Sequence, residues 1–304
     1  MTRRRNVAAS VRARLTERAR ANGENVQLVL TRYAIERLLY RLSRSEYRDR
    51  FVLKGAMLLG VWAEAPYRAT GDLDLLGFGP SEAAAITDVF RSICLTRVDD
   101  DDGVRFLDET LSAEQARQED EYQGVRVRLD AVIAGARLPV QVDIGFGDVI
   151  TPAAHEIEFP TLLEFPAPQL RAYPPETVVA EKFQALVALG MLNSRMKDFY
   201  DLWAIATTFH FDGATLAKAI HATFERRATE VPNEVPVALT PEFADAPLKQ
   251  RQWQGFLQRT AIAMAPEPLA AVLKKIETFV MPPAQSLQSG SRFGLSWPPG
   301  GPWT

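Results

Sequence analysis

The chain has 304 residues, 47% hydrophobic and 24% charged, with a formal net charge of −3, proportions that suit a globular protein with core enough for one large or two ordinary domains. A single cysteine, Cys94, and three scattered histidines, His155, His210 and His221, exclude a disulfide framework and argue against zinc hydrolysis through CxxC or HExxH sites. No apolar run is long enough to span a bilayer and the Arg-rich start lacks the apolar segment of a secretory signal, so the expectation is a cytoplasmic protein with no membrane association.

The charge is unevenly spread. The first twenty residues carry Arg3, Arg4, Arg5, Arg12, Arg14, Arg18 and Arg20 against Glu17 alone, and Arg32, Arg37, Arg41, Arg44, Arg48 and Arg50 follow. Acids gather later, at Asp99–Asp102 and Glu119–Glu121. Clustered arginine beside an acidic remainder is a footprint for a phosphate backbone; a solvated helix face, or a contact with an acidic protein, has the same appearance.

Periodicity predicts helices over residues 9–22 and 25–43, the second with Val26, Leu28, Leu30, Ile35, Leu38, Leu39 and Leu42 on a wide apolar face. A strand at Phe51–Leu53 turns at Lys54-Gly55 into a helix over Ala56–Ala63. Leu73–Phe78 reads as a strand, Ser81–Ile93 as a helix and Asp99–Gly103 as a loop. The alternation in Val125–Val132 and Leu138–Gly145 predicts a hairpin turning around Ala134–Arg137, with Pro139 placed near a strand start or on an edge. Pro160–Pro175 reads as a linker. Thr177–Leu192 and Arg195–Thr208 read as helices parted by Asn193-Ser194, with Ser194 as N-cap. Further helices run to Phe279, interrupted near Pro232–Pro241. From Met281 the chain is rich in Pro, Gly and Ser, and disorder is expected. The implied segments are 1–50, arginine-rich helices packed on the core; 51–160, the core; 161–280, a helical lobe; and 281–304, a tail.

The chemistry concentrates on a few residues. In a strand, Asp72 and Asp74 point one way while Leu73 and Leu75 point into a core. Side-by-side acids repel, and a cation between them, Mg²⁺ or Mn²⁺, is the natural answer; exposed strand-end acids answered by Arg68 are the plainer one. Gly55 lets a backbone approach a phosphate and helical amides would face it, or the turn is an ordinary strand-to-helix connection. Gln141 and Asp143 share a face opposite Val140, Val142 and Ile144. If Gly135-Ala136 is the turn, Arg128 lies across from Asp143 and the two explain each other as an ion pair; Asp130 shares that face. Lys182 projects from a helix anchored by Val178, Val179, Phe183, Leu186 and Leu189. The next helix packs through Phe199, Leu202, Trp203 and Ala206, leaving Arg195, Lys197, Asp198 and Asp201 on its other sides. Arg195–Asp198 and Lys197–Asp201 have the spacing of surface salt bridges.

Four ordered blocks carry a resemblance: Lys54-Gly55; Arg68-Ala-Thr70-Gly-Asp72-Leu-Asp74; Val140-Gln-Val-Asp143-Ile-Gly-Phe-Gly-Asp148; and Ala180-Glu-Lys182-Phe with Asn193-Ser-Arg195-Met-Lys197-Asp198-Phe-Tyr-Asp201-Leu. Spanning roughly residues 50–205, they resemble the nucleotidyltransferase fold of the DNA polymerase β superfamily, and within it the AbiEii/AbiGii toxin family of bacterial toxin–antitoxin and phage-abortive-infection systems. The resemblance implies a bilobed α/β (α+β) protein, with a small mixed sheet as nucleotidyltransferase core and a helical C-terminal bundle closing the nucleotide cleft. It implies attack of an acceptor hydroxyl on the α-phosphorus of an NTP, with pyrophosphate leaving. Asp72, Asp74 and Asp143 become metal ligands, with Asp143 the candidate base, and Lys182 and Asp201 (or Asp198) complete the active site. Lys54, Gly55, Arg68, Thr70, Lys182, Arg195, Lys197 and Asp198 become the nucleotide contacts. One departure stands out: the superfamily's usual Gly-Ser is here Gly55-Ala56, which removes a hydroxyl donor.

Members of this family act as toxins. Some are similar to enzymes that add nucleotides to the tRNA 3′ end, which implies RNA, tRNA in particular, as acceptor, held in part by the Arg-rich region. The implied partner is an antitoxin, a winged-helix regulator or a kinase; for a kinase, Thr70 and Ser194 are suitable targets. Two rivals remain: nucleotidylation of a protein or small molecule, and a non-catalytic RNA- or antitoxin-binding module on a decayed enzyme fold.

Overall fold

The longest alternating stretches of the sequence form the middle of a mixed sheet. In the computed structural model, which describes residues 6–62, 70–116, 124–260, 262 and 268–304, the chain divides into two units. One comprises Met1–Gly147 with His155–Ala172, and the other Asp148–Ala154 with Tyr173–Thr304.

The first unit contains α1 (Val7–Ala21), α2 (Val26–Arg44), β1 (Phe51–Lys54), α3 (Leu59–Trp62), β2 (Asp72–Gly77), α4 (Ala83–Leu95), β3 (Arg105–Ala116), β4 (Gly124–Ile133), β5 (Ala136–Phe146), β6 (His155–Glu158) and β7 (Gln169–Ala172). Its seven strands are ordered β3-β4-β5-β2-β1-β7-β6. β2 with β5 and β1 with β7 are parallel, and the other neighbours antiparallel. Val125, Val127 and Leu129 of β4, Val140, Val142 and Ile144 of β5, and Leu73 and Leu75 of β2 are all buried. This is what strict alternation dictates for a half-buried strand. α1, α2 and α4 pack on the sheet. Asn6 and Asn25 cap α1 and α2 by accepting the amides of Ala9 and Leu28, and α1 buries Val11, Leu15 and Ala19, four residues apart.

α2 also buries charge. Arg37 pairs with Glu36 at 2.8 Å, and Arg41 forks onto Asp102 at 2.8 and 3.2 Å, all nearly inaccessible. The expected acidic loop is thus pinned by Asp102. Glu36 accepts the Leu162 amide (2.7 Å) and Arg37 donates to the Pro166 carbonyl (3.0 Å), fixing the connection that leads into β7.

Several features of this unit differ from what the sequence predicts. The hairpin turns at Ala134-Gly135, both with positive φ (46° and 79°), so Ile133 faces Ala136; a right-handed twist favours two consecutive left-handed residues there. The expected linker at Pro160–Pro175 contains β7, paired with both β1 and β6. β3 went unpredicted because its register breaks between Leu107 and Ser112, which interrupts alternation. Pro139 is tolerated in β5 because β2 flanks that strand only from Gln141 onward.

The second unit contains α5 (Pro175–Leu189), α6 (Met196–Thr208), β8 (Phe211–Asp212), α7 (Gly213–Arg226), α8 (Pro241–Asp245), α9 (Pro247–Arg259), α10 (Leu269–Gln288) and β9 (Ser296–Trp297). α5 and α10 each pack on both α6 and α7. α5 stops at Leu189, before Gly190 with φ 47°, rather than at Leu192. α6 starts at Met196 without a Ser194 cap; Asn193 instead folds back to accept the Arg195 amide at 2.8 Å.

The tail expected to be disordered from Met281 is ordered. α10 runs through Pro282 and Pro283, and β9 pairs with β8 through Trp297 and Phe211. Pro283 has no N–H to give the Phe279 carbonyl, and that carbonyl accepts the Trp303 indole instead, at 3.0 Å. Trp297 is fully buried, donates to the Ala206 carbonyl at 2.7 Å, and packs against Phe279 and Trp303 at 4.9 and 5.3 Å. A few aromatic anchors outweigh a composition rich in Pro, Gly and Ser. Among the described residues no helix is long and apolar enough to cross a membrane. Trp297→Ala is expected to cost about 3–5 kcal/mol in urea-induced unfolding; no loss would mean that the tail contributes nothing to the fold.

Candidate functional site

Register places the charged residues of the sheet in a row across five strands. Glu114 of β3 faces Arg126 of β4, Arg126 faces Asp143 of β5, Asp143 faces Asp74 of β2, and Asp74 faces Lys54 of β1. Directly opposed residues share a face and lie about 5 Å apart. The row alternates in sign except at its centre, where Asp143 and Asp74 are neighbours. Asp72, two residues along β2, shares their face and is exposed, while Asp74 and Asp143 are half-buried. The structure therefore brings the three sequence-predicted carboxylates of this unit onto one surface.

Asp143 is held by Arg126. Nε lies 2.6 Å from Oδ1 and Nη2 3.1 Å from Oδ2, and Gln141 adds a 3.1 Å hydrogen bond to Oδ2. The hydrogen bonds to Asp143 hold the guanidinium above its ordinary pKa; burial works against them, and the charges of Asp143, Asp72 and Glu114 add to them. The expected partner, Arg128, instead faces Gln141 and pairs with Glu114 at 2.6 Å. The two-residue difference follows from the position of the turn. Its signal was legible: glycine is the usual second residue of such a turn, and Gly135 in that place puts Arg126 opposite Asp143. Asp130, which shares this face of β4 with Arg126 and Arg128, is taken by Arg137 at 2.7 Å.

Gly55 serves Asp74. Its φ is 77°, and a Cβ added there would sit 2.7 Å from both Cβ and Cγ of Asp74. The glycine therefore makes room for a carboxylate, a reason distinct from approach to a phosphate. A short 3₁₀ turn over Gly55–Leu58 follows, then α3, in place of the single helix expected from Ala56. Thr70 is half-buried just ahead of β2. Arg68, Arg3, Arg4, Arg5 and Glu119–Glu121 lie outside the described residues.

The second unit assembles a different cluster. Lys182 of α5 places Nζ 2.7 Å from Asp198 Oδ1 and 2.8 Å from Asp201 Oδ2, and Arg195 Nε lies 2.7 Å from Asp198 Oδ2. Both carboxylates are fully buried, Lys182 is mostly so, and Arg195 is half exposed. Burial opposes ionisation of Asp198, but the Lys182 and Arg195 charges and the Lys182 hydrogen bond outweigh it and hold the carboxyl below its ordinary range. Of the two helix-surface bridges, Arg195–Asp198 forms, whereas Asp201 turns to Lys182 and Lys197 stays exposed. Glu181, next to Lys182, accepts from Tyr173 at 3.1 Å, and Asp148 pairs with Arg227 at 3.0 Å.

The arginines divide by use. Arg37 and Arg41 are buried in ion pairs, Arg48 binds Glu156 and the Gln169 carbonyl, and Arg50 binds the Phe78 and Pro80 carbonyls. Arg12, Arg14, Arg18 and Arg20 of α1 are exposed, with Arg12 and Arg18 also donating to the Ala134 and Leu162 carbonyls.

Among the described residues no three His, Cys, Asp or Glu side chains close up as a metal-binding group. The donor set of the sheet nonetheless suits a hard divalent cation, which takes carboxylate oxygens: Asp72 and Asp74 face the same way, and Asp143 is in register beside Asp74.

A family model described as nucleotidyl transferase AbiEii toxin, type IV TA system, matches residues 37–275. Two solved Helicobacter pylori structures, one of a protein assigned as a nucleotidyltransferase and one of JHP933, share the fold. Each has a TM-score of 0.51 and 13% identity over 88% of this chain, and the match covers 99% and 95% of those chains. Comparison with curated proteins gives no match.

Two outcomes follow from the geometry. Lys182→Met leaves Asp198 and Asp201 buried without their shared cation and should cost about 3–5 kcal/mol at neutral pH. Because Asp198 has a lowered pKa in the folded protein, its contribution is present above 3.8 and is lost as pH falls through the folded value. The stability gap between wild type and variant, measured by urea unfolding, should therefore narrow as pH falls toward and below 3.8. Gly55→Ala should cost about 1–3 kcal/mol through the positive φ alone, with further loss from overlap with Asp74; an unchanged melting temperature would contradict the close approach.

Proposed function

Because the chain belongs to the AbiEii nucleotidyltransferase toxin family, we propose that it transfers a nucleotide from an NTP to a hydroxyl of RNA, at the tRNA 3′ end, and thereby blocks translation. The observation that carries this reading is the in-register pair Asp74 and Asp143 with Asp72 on the same face. Like charges placed side by side in a sheet are unfavourable and call for a cation. Asp72 and Asp74 would hold Mg²⁺ or Mn²⁺ directly, with Asp143 as third ligand once Arg126 yields. A bound divalent ion supplies a lower pKa for the attacking hydroxyl and charge stabilisation at the attacking and leaving oxygens.

The remaining roles belong to the chain's own groups. Gly55 keeps the Asp74 carboxylate unobstructed. Lys182, fixed between Asp198 and Asp201, is a preset cation for triphosphate oxygens; both acids position it, so the choice between them is not exclusive. Lys54, Thr70, Arg195 and Lys197, with Arg68, are the further candidate nucleotide contacts. The exposed arginines of α1 suit an RNA backbone. Retention of Asp72, Asp74, Asp143 and Lys182 argues against a decayed, purely binding module. The family description points to an antitoxin as partner, and NTP and RNA place the reaction in the cytoplasm.

The test is incubation with Mg²⁺, each α-labelled NTP in turn and total RNA, followed by a denaturing gel. The expected result is a tRNA-sized labelled band. Asp72→Asn should reduce it roughly 10²–10⁴-fold, the factor that several kcal/mol of lost charge stabilisation gives, while the circular dichroism melt stays unchanged because Asp72 is exposed. A labelled protein band would replace the RNA acceptor with a protein, and no label in any lane would overturn the enzyme reading.

A further inference from the structure

We propose that Arg126 is a positioning residue that occupies Asp143 in place of the divalent cation and is displaced when the cation binds. The proposal rests on the metal-dependent reading above. An ionised carboxylate offers about four lone-pair sites; the Arg126 fork and the Gln141 amide already use three on Asp143. The single site left is on Oδ1, the oxygen that already accepts from the guanidinium Nε, so a cation that recruits Asp143 competes there with the positive charge of Arg126.

The geometry makes that exchange easy. Arg126 is 37% exposed and Asp143 30%, so the pair breaks without opening the core, and solvated pairs of this kind are weak. Arg126 also has somewhere to go. It stands between Asp143 and Glu114 in the row, and Glu114 is held by the exposed Arg128 in a pair that water reaches from both sides. The charge sequence gives the reason for an arginine here. Without a cation, Asp72, Asp74 and Asp143 repel one another, and Arg126 and Lys54 are the positive neighbours at either end of the Asp143–Asp74 pair. Arg126 thus keeps the third carboxylate oriented while withholding it from adventitious cations, so the acidic site is completed only when a divalent ion competes successfully.

Mn²⁺ binding to the full chain, followed by titration calorimetry and by the electron paramagnetic resonance signal of free Mn²⁺, tests this without any turnover. Arg126→Gln should bind Mn²⁺ about ten-fold more tightly than wild type, and Arg126→Lys, which keeps the charge but lacks the fork, should fall between. In an Asp143→Asn background the Arg126→Gln gain should vanish. Circular dichroism checks that each variant is folded. Wild-type binding with no tightening in Arg126→Gln would overturn the role of the arginine while leaving the metal reading intact. An equal tightening in the Asp143→Asn background would reduce Arg126 to a distant charge and also overturn it. Failure of wild type and Arg126→Gln alike to bind Mn²⁺ would remove the metal reading and this proposal together.

Discussion

Two carboxylates in register on adjacent parallel strands are the constraint to which the first unit answers. Asp74 and Asp143 are neighbours in β2 and β5, where like charges destabilise a sheet, and the surroundings are arranged to make that tolerable. Lys54 and Arg126 flank the pair in the same row. Gly55 removes the one side chain that would press on Asp74. The apolar alternation of β4 and β5 buries the opposite face so completely that slipping either strand by one residue would turn the valines out and the charges in. The acids stay together because the core fixes the strands that carry them.

The acids of the second unit obey a different rule. Asp198 and Asp201 are wholly buried, and a buried carboxylate without a partner costs far more than a surface one. Lys182 and Arg195 supply two positive charges against two negative ones, so the cluster is balanced within itself. The sheet acids sit half in solvent with an exchangeable arginine. Accessible carboxylates suit a ligand that comes and goes, whereas buried, paired ones suit holding a single lysine in one place. The family resemblance presents Asp198 and Asp201 as alternatives for one role; their shared contact with Lys182 makes them joint supports of it.

How much was legible depended on whether local pattern or distant pairing decided the outcome. The apolar stripe of α6, the helices α1 and α2, and the shared face of Asp72 and Asp74 follow from periodicities of 3.6 and 2, which the chain carries in itself. The partner of Asp143 does not: it is set by which two residues form the turn, and moving the turn by one position moves the partner from Arg126 to Arg128. β6 and β7 are four residues each, too short for alternation to stand out, and exist because β1 offers an edge to β7. In the tail, composition pointed to disorder while Trp297 and Trp303 decided for order, because one fully buried indole with a satisfied N–H outweighs several glycines and prolines.

The arginines show why a charge count is not a surface. Arg37 and Arg41 hold α2 to its neighbours from inside, and Arg48 and Arg50 tie loops to β-strand ends. Among the described residues, α1 offers a row of arginines to an outside phosphate: its Val11, Leu15 and Ala19 face inward and leave Arg12, Arg14, Arg18 and Arg20 outward. Arg12 reaches the hairpin tip at Ala134, eight residues along β4 from Arg126, or roughly 26 Å at about 3.3 Å per residue. A small acceptor at the acidic row could not touch a group so far away, whereas a nucleic acid covers that distance in a few nucleotides. If the arginine at that position contributes to acceptor binding, the acceptor must be a polymer, which favours RNA over a small molecule on grounds of length alone.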